Sequence, residues 1–153
     1  MPVMNVKISI EHDSSQIPVV AKMVCHLFTM TQGDSVKNME LAVVELLTNI
    51  INHSDGAAQK GLINIRCRYT GDDFTVTISE PGTALSAKVV RAYTDEIVSM
   101  PEVDVSNLDD ILELPESGWG IQLIKSVCDE VSYNRVADKN VYKMTFDLSS
   151  TAV

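Results

Sequence analysis

Apolar residues recur at the helical period over residues 39–53, MELAVVELLTNIINH, the longest such stretch in the chain. At about 100° per residue, Val43, Val44, Leu46, Leu47, Ile50 and Ile51 fill one broad apolar arc. Glu45, Asn49, Asn52 and His53 fall on the opposite side, which carries no Lys or Arg. Around this helix the pattern predicts further elements. Residues 3–10 alternate, with Val6, Ile8 and Ile10 against Lys7 and Ser9, as an opening strand does. Ser14-Ser15 is placed to cap a helix in which Ile17, Val20, Ala21, Val24, Leu27 and Phe28 repeat at three and four, with Pro18 tolerated in its first turn. Asp34 or Ser35 is expected to cap the central helix.

Beyond a polar loop, SDGAAQKG, residues 62–69 and 74–79 alternate again and predict a hairpin turned by Gly71-Asp72-Asp73. Glu80-Pro81-Gly82 ends the second of these strands. A weaker helical pattern runs over 86–100 through Val89, Tyr93 and Ile97. Residues 101–117 read as a long loop, a length that in a compact domain is usually functional or mobile. Gly118-Trp119-Gly120 then opens a helix with Ile121, Ile124 and Cys128 on one side. Two last strands, 130–136 and 141–148, flank Ala137-Asp138-Lys139-Asn140. The order β-α-α-β-β-α-loop-α-β-β predicts an α/β (α+β) two-layer sandwich: a mixed, mainly antiparallel sheet with helices on one face.

The totals narrow the function classes. A chain of 153 residues, 45% hydrophobic and 22% charged, is expected to fold as a single domain spanning 1–153. Its formal net charge of −9 and pI near 4.6 argue against nucleic acid or an anionic membrane as partner, since both require a positive footprint. No apolar run approaches the ~20 residues of a membrane span, and MPVMNVKISIEHD lacks the regions of a signal peptide, which together point to the cytoplasm. Cys25, Cys67 and Cys128 are odd in number and widely spaced. They predict free thiols in a reducing compartment rather than a disulfide framework or a metal site.

Three short pieces carry candidate chemistry. On the central helix, Glu45 and Asn49 are four apart, so a carboxylate and a neutral amide stack on one face with Cβ atoms about 5–6 Å apart, and His53 follows one turn later. Either group can ligate a hard cation or orient water. At a strand end stands Glu80-Pro81-Gly82-Thr83-Ala84. At a helix start stands Gly118-Trp119-Gly120-Ile121, where glycines let backbone approach a phosphate and the helix N-terminus offers free N–H groups. Trp119, the single tryptophan, is placed either to cover a ligand or to seal the core.

In this order the pieces resemble the anti-sigma-factor serine/threonine kinases of the partner-switching type, within the histidine-kinase-like (GHKL) ATPase superfamily. ELAVVELLTNIINHS is similar to that family's E-A-x-x-N-A-x-x-H box, and GWGIQLIKSVCDEVSYNR to its last glycine box and the following strand. The resemblance implies a Bergerat-type ATP-binding fold that holds ATP and Mg²⁺ between the central helix and a lid. By the match, Asn49 would ligate Mg²⁺ and Glu45 would act as general base toward a partner's serine hydroxyl. His53, Glu80, Gly82, Ala84, Gly118, Trp119, Gly120 and Ile121 would line the nucleotide site. The implied partners are an anti-sigma-factor antagonist and a sigma factor or other regulatory protein. Dimerisation is common in the family, and the apolar first strand and helix can supply a homodimer interface.

Two departures favour an alternative, a binding module of the same fold with weak or no nucleotide use. Where the family has Asp-x-Gly-x-Gly, with the Asp accepting from the adenine amino group, this chain has Glu80-x-Gly82-x-Ala84. The longer Glu80 changes the reach, and the Cβ of Ala84 resists a positive φ. The Gly-Thr usual before the last strand is replaced by Lys139-Asn140-Val141. In addition, 95–116 holds eight acidic residues and no Lys or Arg. At an effective dielectric of about 20, one like-charge pair at about 8 Å repels by roughly 2 kcal/mol before screening, so this strip suits a basic protein surface better than a triphosphate.

Overall fold

The computed structural model describes residues 3–32, 38–53, 61–94 and 119–148. The expected caps Asp34 and Ser35, Gly118 and the acidic segment 95–116 lie outside the described residues, as does the side chain of Trp119. The elements are β1 (Met4–Ile10), a 3₁₀ turn (Ser14–Gln16), α1 (Ile17–Gln32), α2 (Met39–Asn52), β2 (Ile63–Tyr69), β3 (Asp73–Glu80), α3 (Ala87–Thr94), α4 (Trp119–Val127), β4 (Glu130–Val136) and β5 (Lys139–Asp147). One sheet runs in the order β1-β2-β3-β5-β4. All four described pairings are antiparallel, so the parallel component allowed by a mixed sheet is not found among them.

Alternation decides which face is covered. Ile63, Ile65 and Cys67 of β2, Phe74, Val76 and Ile78 of β3, and Tyr142, Met144 and Phe146 of β5 all turn to the helices and are buried. Lys7, Arg66, Arg68 and Lys143 stand exposed at intervening positions. Onto the apolar face α2 lays Met39, Ala42, Val43, Leu46, Leu47 and Ile50, α1 lays Val20, Ala21, Val24 and Phe28, and α4 lays Ile121 and Ile124. Phe28 meets Phe74 edge-on at 5.3 Å and Phe146 at 5.6 Å between centroids, a favoured aromatic geometry. Removing so much apolar surface from water at ~25 cal/mol per Å² is the main force holding the layers together.

Local chemistry sets several boundaries differently from the sequence pattern. The cap before α1 is Asp13, not Ser14-Ser15: its Oδ1 accepts from the Ser15 backbone N–H at 2.9 Å, and this lowers its carboxyl from the usual range. Asn38 stands before α2 and makes no side-chain cap bond. The β4–β5 connection is two residues rather than four, because Ala137 and Asp138 both take positive φ (50° and 63°), as a tight hairpin turn requires. Strand β5 therefore begins at Lys139 and takes Asn140 into the sheet. Cys25, Cys67 and Cys128 are free; burial pushes the Cys67 thiol up to about 12, leaving it unreactive. No described helix is long and apolar enough to cross a membrane.

Candidate functional site

The expected site residues converge at the end of the sheet where β3 finishes and β5 begins. A cavity of about 420 Å³ there is lined by Asn49, Ile50 and His53 of α2, Glu80 and residues 82–86, the inner face of α3 (Lys88, Val89, Ala92, Tyr93), Ile121 of α4, and Asn140 and Tyr142 of β5. Of the residues singled out in the sequence, Asn49, His53, Glu80, Gly82, Ala84 and Ile121 line this cavity. Glu45 and Gly120 meet beside it. A Cβ built on Gly120 would lie 3.1 Å from Glu45 Oε2 and 3.2 Å from Asn49 Nδ2. The first turn of α4 thus lies close against the carboxylate and the amide of α2, and a Cβ at residue 120 would require those side chains to give by a few tenths of an ångström.

Glu80 reaches the site by alternation: it follows Phe74, Val76 and Ile78 on the covered face of β3, and its register partner on β5 is Asn140. Both are buried, at 4% and 1% exposure. Asn140 Nδ2 donates to Glu80 Oε1 at 2.6 Å, and the Tyr142 hydroxyl approaches the same oxygen at 3.5 Å. A buried carboxylate needs such donors. The extra methylene of Glu80 is accommodated by folding over Gly82, where a Cβ would come within 2.5 Å of Oε2. A Cβ at residue 82 would therefore require the Glu80 carboxylate to shift. Ala84 does not take the positive φ that its Cβ would resist; the described non-glycine residues with positive φ are Ala137 and Asp138. It is exposed at the cavity mouth.

Several contributors carried no usable signal in the sequence. Tyr93 of α3 is 3% exposed and packs against Tyr133 and Tyr142 at 6.5 and 5.6 Å. Burial pushes its hydroxyl up to about 12, opposed by a hydrogen bond with the Asn49 side chain. Tyr142 is raised by burial and then by the neighbouring Tyr93, Glu80 and Tyr133. Both phenols stay protonated at neutral pH, and the Tyr142 hydroxyl is directed at Glu80 Oε1. Arg135 donates to the Gly82 carbonyl, and the buried Lys125 Nζ donates to the Ala92 carbonyl near the end of α3 at 3.1 Å. Among the described residues no group of three or more His, Cys, Asp or Glu is arranged to hold a metal by itself. Any cation here would share Asn49 with oxygens of a ligand, as Mg²⁺ commonly shares few protein groups with phosphates.

Comparison with known proteins agrees with this geometry. Residues 12–146 match the histidine kinase-like ATPase domain family model. The chain is 28% identical over 101 residues to serine-protein kinase RsbW of Oceanobacillus iheyensis, covering 66% of this chain and 59% of that protein. It is 24% identical over 98 residues to anti-sigma F factor of Clostridium novyi, covering 64% and 60%. The matches thus span about three fifths of these curated relatives. The structure of the RsbU and RsbW domains of Rv1364c from Mycobacterium tuberculosis superposes with a TM-score of 0.59 over 94% of this chain and 32% of that one, at 12% identity, a likeness of fold. With the match running from before α1 into β5, and the central-helix and glycine residues gathered around one cavity, the chain belongs to the histidine kinase-like ATPase domain family.

Proposed function

We propose that the chain is a single-domain, cytoplasmic, ATP-dependent serine/threonine protein kinase and anti-sigma regulatory factor. It would phosphorylate an anti-sigma-factor antagonist and bind a sigma factor or other regulator in a partner switch. The observation that carries this reading is the contact of Gly120 with Glu45 and Asn49, beside a cavity with a carboxylate at its inner wall. The names of the relatives support it.

ATP with Mg²⁺ would supply the phosphoryl group. Asn49 would offer its amide oxygen to the cation, and the first turn of α4 would offer backbone N–H groups to the phosphates. Glu80 would face the base, and Lys88 and His53 would stand at the cavity wall near the charged end. Glu45, one turn from Asn49, would hold the incoming serine hydroxyl and take its proton, the positioning and general-base roles phosphoryl transfer requires. The test is transfer of labelled phosphate from ATP to the antagonist protein that associates with the chain. Glu45→Ala is expected to lower transfer by 10²-fold or more while ATP affinity stays within about twofold; equal transfer by variant and wild type would remove Glu45 from the role.

A second reading is a partner-binding module with little nucleotide use, favoured by the buried Glu80, one oxygen of which the Asn140 amide already engages at 2.6 Å.

A further inference from the structure

The outer face of the sheet, turned away from the helices and the cavity, gathers positive charge in a chain whose formal net charge is −9. Alternation sends Lys7 of β1, Arg66 and Arg68 of β2, and Lys143 of β5 to that face, and all four are exposed. The register aligns three of them. Lys7 stands opposite Arg66, Arg66 opposite Thr77, and Thr77 opposite Lys143, so one row across four strands reads Lys, Arg, Thr, Lys. Arg68 lies one row along, opposite Thr75. Among the described residues none of the four cations has an ion-pair partner. Acids hold the far end of the same face, where Asp73 stands opposite Asp147 two rows further on.

This row costs the free protein stability. Directly opposed residues have Cβ atoms about 4.5–5.5 Å apart, and like charges there are destabilising. Lys7 against Arg66 is such a pair, and Arg68 sets a third cation on its diagonal. The packing of these strands is carried instead by covered residues, Ile65 and Cys67 among them. A repulsive row that the core does not use is relieved by opposite charge brought from outside.

We propose that this row docks an acidic helix of a partner protein, lying across the strands. Neighbouring strands stand about 4.8 Å apart, close to the helical pitch of about 5.4 Å. Such a helix presents one residue per turn to each strand, so carboxylates near i, i+4 and i+11 meet Lys7, Arg66 and Lys143. The acids at the far end fix its placement by repelling a misplaced carboxylate. A nucleic-acid duplex fits less well, since its phosphates continue past the row over Asp73 and Asp147. Face-to-face pairing with a second copy would set row against row, like charge on like. The proposal concerns the opposite side of the sheet from the cavity and is independent of the nucleotide reading.

The probe is a labelled alanine-rich helical peptide with Glu at i, i+4 and i+11, titrated with the full chain at low and at physiological salt. A control peptide of the same composition spreads the three Glu around the helix. Wild type is expected to bind the one-faced peptide about tenfold more tightly than the control, the sum of three exposed charge pairs. Lys7→Gln/Arg66→Gln/Lys143→Gln should lose that preference, whereas Lys22→Gln on α1 should keep it. Because the triple variant removes repulsion, its melting temperature should equal or exceed that of wild type.

Equal affinity for the two peptides, or an undiminished preference in the triple variant, overturns the proposal. A lowered melting temperature overturns it as well, by showing that the cations serve the fold. Tighter binding of a duplex DNA oligonucleotide, or self-association of wild type that the triple variant loses, gives the face a different occupant and equally rejects the acidic helix.

Discussion

At Gly120 the site depends on the absence of one methyl group. The α4 backbone lies against Glu45 and Asn49 so closely that a Cβ would meet Oε2 at 3.1 Å and Nδ2 at 3.2 Å, and both side chains are half-buried. They can shift by a few tenths of an ångström, so Gly120→Ala should cost about 1–2 kcal/mol of stability. It should still weaken ATP–Mg²⁺ affinity by about tenfold or more, since the group that moves is the proposed cation ligand. Calorimetric titration checks this; unchanged affinity in the folded variant would detach Gly120 from the site. Residues of this kind were legible in the sequence, because Glu45, Asn49, Gly82 and Gly120 belong to local pieces whose chemistry depends on short spacing. Asn140 was not. Its role arises from standing opposite Glu80 in the β3–β5 register, sixty residues away, which no local spacing reveals.

Between elements, one wall of the cavity is α3, described over Ala87–Thr94. Tyr93 anchors it to the tyrosines of β4 and β5, and Lys125 ties α4 to its last turn through the Ala92 carbonyl. Lys125→Met keeps the aliphatic stem but leaves that carbonyl without its donor, an expected cost of about 1–3 kcal/mol. The loss should appear as faster amide exchange in α3 than in β2 or β3; equal exchange in variant and wild type would show that the tie is not what holds the helix. Element types and order followed well from periodicity, since buried stripes at spacing two or three-to-four survive folding intact. Boundaries followed less well. Asp13 rather than Ser14-Ser15 caps the turn before α1, and the two left-handed residues Ala137 and Asp138 carry side chains that give little warning of a tight turn.

Over the whole molecule the decisive quantity is charge. A formal net charge of −9 opposes approach of a free triphosphate, so a divalent cation on the ligand has to offset that repulsion as well as meet Asn49. Nucleotide binding is therefore expected to depend steeply on Mg²⁺. The account's central claim, that the cavity beside Glu45 and Asn49 takes ATP with Mg²⁺, is tested most directly by thermal unfolding of the full chain across an ATP series with Mg²⁺ and, in parallel, with chelator. At about 100 times Kd, ligation should stabilise the fold by roughly 2.7 kcal/mol, raising Tm by roughly 5–10 °C. The shift should be largely lost with chelator and in Asn49→Ala. A Tm that stays flat to millimolar ATP with Mg²⁺, or a shift indifferent to both Mg²⁺ and Asn49, contradicts the account.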